Sequence, residues 1–151
     1  MRYSTCAAVR PVASLSDTRR VATDPVEIFK QAVEALNRVD LAEIARLVDP
    51  ELAFVPMRAA VTGPYIGHAG LKDFIDDNDE KYEYFLAEFD TLEPLADGRL
   101  LSIGRIRVRG RDGEAETVVK TAGIASFRNG RMLSWHDYGD ETTARAKANE
   151  T

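Results

Sequence analysis

Arg105, Arg107 and Arg109 recur at every second position within a run of aliphatic residues, and Asp137 follows Trp135 at the same spacing near the end of the chain. Side chains alternate faces along a strand, so the three guanidiniums share one face, with Ile106 and Val108 on the other. On the later strand Leu133, Trp135 and Asp137 share a face, and Met132, Ser134, His136 and Tyr138 lie opposite. A carboxylate set against guanidiniums has two uses. The cations can hold it ionised as a proton acceptor, opposing the upward push of burial. It can equally be half of a structural ion pair, because buried charges need partners with or without chemistry. Adjacent His136 and Asp137 point to opposite faces, which argues against a dyad between them. His68, in a Gly-rich loop, offers either a proton shuttle or a loop hydrogen bond. Two distant histidines and a single cysteine supply no metal-ligand spacing. The acidic run Asp76–Glu80 lacks the glycine and terminal glutamate of a calcium loop. There is no phosphate-binding Gly-rich loop and no Ser-His-Asp arrangement in its usual context, and no cofactor is implied.

These residues need elements to position them. Thr23 or Asp24 caps a first helix with Pro25 at its first position and Ile28, Phe29, Ala32, Val33, Ala35 and Leu36 at helical spacing. Asp40 caps a second, shorter helix that Asp49-Pro50 stops. Leu52–Val55 reads as a short strand ended by Pro56. A Gly- and Pro-rich loop from Ala59 to Gly70 leads to a third helix, with Leu71, Phe74 and Ile75 inward, which is expected to dissolve into Asp76–Glu80. Three turn signals, Asp97-Gly98, Asp112-Gly113 and Asn129-Gly130, then separate four strand-like runs: Tyr82–Glu93, Arg99–Arg109, Ala115–Phe127 and Arg131–Tyr138. Gly104 and Gly123 sit inside strands, where glycine marks bulges and bends. A bent sheet has a concave side, and three helices in front of it close that side into a cone.

Composition bounds the rest. A chain of 151 residues, 44% hydrophobic and 30% charged, is one globular domain with a sizeable core. Its formal net charge of -5 argues against a phosphate-backbone footprint, so no nucleic-acid partner is expected. No apolar run approaches the roughly 20 residues that span a bilayer. The lone Cys6 permits no internal disulfide, which favours a reducing, cytoplasmic setting. Residues 1–22, rich in Arg, Ser and Thr with one acid, read as a flexible tail, with a transit peptide as the alternative. Residues 141–151 form a short helix or a second tail around the domain at 23–140.

The order helix–helix–strand–helix–four strands resembles the cone-shaped superfamily of nuclear transport factor two, ketosteroid isomerase and SnoaL-like polyketide cyclases. Gly67-His68-Ala69-Gly70-Leu71 is similar to the Gly-x-x-Gly-aliphatic step of SnoaL-like members, and Asn129 to Tyr138, with Trp135-His136-Asp137-Tyr138, resembles their closing strand. Gly104 to Arg111 is similar to their Arg-rich third strand. The resemblance covers about Asp24 to Asp140. It implies an α+β cone, three N-terminal helices packed on a strongly bent mixed or antiparallel sheet, around a pocket for a small hydrophobic, cyclic or polyketide-like and potentially anionic molecule.

Set against limonene-epoxide hydrolase, Asp137 matches the closing Asp and Arg105 the Arg of an Asp–Arg–Asp group, while Arg107 replaces the second carboxylate. Its water-holding Tyr and Asn fall on Phe54 and Pro56. The acids of ketosteroid isomerase fall near Pro56 and Gly123. The resemblance to the cyclases leaves Asp137 as the acid/base of an isomerase, cyclase or hydrolase, Arg105 as its orienting partner and Arg107 as an anion anchor. Trp135, Tyr65, His68, Phe54 and Phe29 are expected to contact the ligand. The alternative is a binding or dimerisation module without catalysis. A homodimer is expected through an apolar outer face of Ile106, Val108, Ile124, Met132 and Tyr138.

Overall fold

The computed structural model describes residues 24–150, and the expected N-terminal tail at 1–22 lies outside them. Asp24 caps helix α1 (Pro25–Asn37), its carboxylate accepting the Val26 amide at 3.0 Å, and Ile28, Phe29, Ala32 and Ala35 form the buried face. Asp40 caps α2 (Leu41–Leu47) through the Glu43 amide. The link between them is more than a break. The Asn37 side chain donates to the Ala87 carbonyl and accepts from the Ala87 amide, both at 2.9 Å, tying the end of α1 to the sheet as another strand would.

Strand β1 (Val48–Val55) starts earlier than Leu52, because a register shift between Val48 and Ala53 absorbs Pro50. The Gly- and Pro-rich stretch contains a single-turn helix α3 (Ala59–Thr62) and a two-residue strand β2 (Tyr65–Ile66). Helix α4 (Gly67–Lys81) runs through the acidic segment that was expected to end it. Asp76–Glu80 stays helical because the buried face continues from Leu71, Phe74 and Ile75 to Asn78, and Lys72 pairs with Asp76 at 2.7 Å.

The strands β3 (Tyr82–Pro94), β4 (Leu100–Gly110), β5 (Thr117–Arg128) and β6 (Arg131–Asp137) follow as an antiparallel meander. All three turn glycines take positive φ, as the hairpin signals require. The whole sheet is six-stranded, in the order β2-β1-β6-β5-β4-β3, with β1 parallel to β6 and every other pair antiparallel. Helices α1, α2 and α4 cover its inner face around Phe74, Leu52, Leu100 and Trp135. A fifth helix, α5 (Glu141–Ala148), capped by Asp140, covers part of the outer face, burying Ala144 with Leu101, Ala122 and Ile124.

One charge pair locks the β1 end of the sheet. Buried Asp49 accepts two hydrogen bonds from Arg128 of β5, at 2.8 and 3.1 Å, and one from the Glu51 amide at 2.8 Å. The guanidinium and that amide hold the Asp49 carboxyl below its ordinary value of 3.8. A lowered native pKa contributes stability above the unfolded-state value, and that contribution disappears as pH falls through the native one. Asp49→Asn should therefore be less stable than wild type at pH 6, with the gap closing as pH falls below about 4. Urea midpoints measured between pH 6 and pH 3 check this; a constant gap would remove Asp49 as the titrating group.

Candidate functional site

A cavity of about 330 Å³ lies between the inner face of the sheet and α1, α2 and α4. Its walls are mainly aromatic. Trp135 forms the floor, lying over β5 where Gly123 leaves room; a Cβ there would fall 2.7 Å from the indole ring. The indole Nε1 donates to the Ser102 hydroxyl at 3.1 Å, and that hydroxyl donates to the Gly123 carbonyl at 3.3 Å, which fixes the ring's orientation. Phe54 stacks on Trp135 at 5.5 Å, and Phe29 meets Phe89 edge to face at 5.0 Å.

Few polar residues line this cavity. They are Asp137, Arg58, Tyr82 and the exposed Lys81 and Lys120, the last paired directly with Arg105 across β4 and β5. Asp137 ends β6. Its Oδ1 accepts the Gly139 amide at 2.8 Å and the Ala122 amide at 3.3 Å. Among the described residues, nothing donates to Oδ2. Arg58 follows β1 with its Cζ over the Phe74 ring, 4.4 Å from its centroid, while one Nη donates to the amide oxygen of buried Asn78.

The structure brings Phe29, Phe54, Trp135 and Asp137 to the cavity wall and puts the other expected site residues elsewhere. Arg105 and Arg107 do not face Asp137. They project from the outer face of the sheet, where Arg105 meets Glu88 at 3.1 Å and Asp90 at 2.6 Å, and Arg107 meets Glu116 at 3.3 Å. The alternation along β4 is as read from sequence, but the faces are exchanged: Ile106 and Val108 are the residues that line the cavity. The reason lies in the cross-strand partners. Arg105 sits directly opposite Glu88, whereas Ile106 opposes Ala87 and Val108 opposes Phe85. The acids of β3 alternate with its apolar residues in register with the arginines, and that pattern in Phe85–Asp90 was the available signal.

The exchange also removes the apolar outer face on which a homodimer was expected. Ile106, Val108 and Met132 belong to the cavity, and Ile124 and Tyr138 pack in the cluster beneath α5. Met132 turns inward because Leu133 is an extra residue in the β5–β6 pairing, where the register shifts beside Ser126. Tyr65 packs on Phe54 and Phe74 and donates to Asp77 at 3.0 Å, away from the cavity wall. The imidazole of His68 contacts the Val48 carbonyl at 3.1 Å, bracing the helix start against β1. His136 stacks on Tyr138 at 4.1 Å on the outer face, and burial of the ring pushes its pKa below the ordinary value.

Arg58, Lys81 and Lys120 were missed. Lys81 and Lys120 carry no sequence signal, but Arg58 had an indirect one. Asn78 stands on the buried stripe of α4, and a buried amide requires a polar partner from elsewhere.

Among the described residues, no three His, Cys, Asp or Glu side chains converge to hold a metal ion, and no helix is long and apolar enough to cross a membrane. The element order and sheet are those of the α+β cone shared by NTF2-like, SnoaL-like and ketosteroid isomerase-like proteins. TerC, co-crystallised with polyporic acid, superposes with a TM-score of 0.68 at 17% identity, over 84% of this chain and 99% of that one. A protein with the ketosteroid isomerase-like fold from Catenulispora acidiphila DSM 44928, in complex with trimethylamine, gives 0.66 at 15% identity over 83% and 97%. A SnoaL-like polyketide cyclase candidate from Shewanella denitrificans OS-217 gives 0.65 at 15% over 82% and 95%. No family model matches the sequence, and no curated protein matches it.

Proposed function

We propose that the protein binds a small, flat, hydrophobic molecule in the cone and that Asp137 transfers a proton to or from it, as in an isomerase, cyclase or hydrolase. One observation carries this reading. Among the described residues lining an otherwise aromatic cavity, Asp137 is the sole carboxylate, and it is held by one oxygen only. Two backbone amides fix Oδ1, so Oδ2 is presented at a set position for proton transfer. Structures of the same fold with polyporic acid and with trimethylamine support a small-molecule ligand.

The reaction class is tested without knowing the natural substrate. 2-Tetralone is flat and apolar and carries acidic C–H bonds beside its carbonyl. The Asp137 carboxylate takes one of these protons while the electron pair moves to the carbonyl oxygen, and in D₂O a deuteron returns to the same carbon. Exchange followed by NMR should run about 10²–10⁴-fold faster with wild type than with Asp137→Asn, while both bind 2-tetralone. Equal exchange rates in the two proteins would exclude Asp137. Binding without accelerated exchange would favour a module that binds and does not catalyse.

A further inference from the structure

We infer that Arg58 makes the cavity selective for anions, so that its ligands are flat hydrophobic molecules carrying one carboxylate or comparably acidic group. The inference rests on the cavity being a ligand site and goes beyond it in naming the chemical class and the residue that selects it. The protein as a whole is acidic, with a formal net charge of -5. At its cavity the half-buried cation is Arg58; Lys81 and Lys120, the other basic residues at the wall, are exposed, and Lys120 pairs directly with outer-face Arg105.

Those three cations also differ from the arginines of the sheet's outer face and edge. Arg105, Arg107 and Arg128 are each within 4.0 Å of a carboxylate. Among the described residues, Arg58, Lys81 and Lys120 have none. Lys81 and Lys120 are exposed, so water compensates their charge; Arg58 is half-buried against an apolar wall, where an unpaired charge favours an anionic partner. Arg58 is furthermore held ready. Its guanidinium sits over the Phe74 ring and one Nη is tied to buried Asn78, so its position is held before a ligand arrives. Asn78 is a neutral acceptor and leaves the charge intact. A guanidinium has five donors, and a fork remains for a planar anion. The aromatic wall of Trp135, Phe54 and Phe89 would receive the body of such a ligand.

A matched pair of ligands separates charge from shape. 2-Naphthoate and 2-naphthamide have nearly the same outline, and only the first is anionic at pH 7.5. By isothermal calorimetry, wild type should bind 2-naphthoate about tenfold or more tightly than the amide, as hydrogen bonds to charged groups allow. In Arg58→Gln that ratio should fall to about one, with the amide's affinity unchanged. A ratio near one in wild type, or an undiminished ratio in Arg58→Gln, overturns the inference while leaving the cavity a ligand site. Failure of both compounds to bind wild type overturns the ligand site as well. If Arg58→Gln does not fold, the double variant Lys81→Gln/Lys120→Gln decides: a retained preference assigns it to Arg58, and a lost one overturns that assignment.

Discussion

Phe74→Ala is expected to lower the unfolding free energy by about 3–5 kcal/mol, the range for truncating a fully buried aromatic ring. The ring is 1% exposed and stands where α4 meets the sheet. It contacts Phe54 at 4.7 Å, Tyr65 at 5.4 Å and Phe85 at 5.5 Å, each edge to face. These rings are anchored in three different strands and cannot collapse together into the space it leaves. The void opens instead into the existing cavity. Arg58 loses the ring on which it lies, so the variant should also lose part of its preference for 2-naphthoate. Urea unfolding followed by the fluorescence of Trp135, the single tryptophan, measures the stability term. A loss below about 1 kcal/mol would mean that the cluster repacks, and the rigid-wall description would fail.

Gly104→Ala should be destabilising for a different reason, by about 3 kcal/mol, the upper end of overpacking. A Cβ at this position would lie 1.9 Å from the Glu88 carbonyl oxygen and 2.6 Å from the Phe89 Cα. Both obstacles are backbone, so no rotamer change relieves them; β3 and β4 must separate. The register between these strands shifts immediately beyond Phe89, where the sheet is locally irregular. Because Phe89 is part of the cavity wall, the variant should also bind 2-tetralone less tightly. Unchanged stability in Gly104→Ala would show that the strands do not approach so closely.

The two glycines inside strands were legible as sites of bending, and the structure gives each a specific reason: close approach of β3 at Gly104 and room for an indole at Gly123. The caps at Asp24 and Asp40, the three hairpin turns and the inward face of α1 were equally legible, because each depends on residues within a few positions of one another. Alternation along β4 and β6 was visible for the same reason. Residues joined across distance were not. The alternation Arg105-Ile106-Arg107-Val108 locally favours the aliphatic half toward the core. Setting Arg105 against the Arg of an Asp–Arg–Asp group placed the arginines inward instead, and the paired acids of β3 decide against that. One extra residue at Leu133 likewise reverses Met132, and no count along the strand reveals it.

The sequence by itself determined the class of fold, an α+β cone on a bent sheet, together with Asp137 and Trp135 on one side of its last strand; the parallel pairing of β1 with β6 came from the tertiary structure. Periodicity, caps and turns are short-range, and there they all agree. Only the tertiary structure decided which charges enter the cavity. Pairing with the acids of β3 takes Arg105 and Arg107 to the outer face, and a buried asparagine on α4 draws Arg58 over Phe74 instead. A charged side chain goes where its partner is, and partners brought together by folding are separated in the chain.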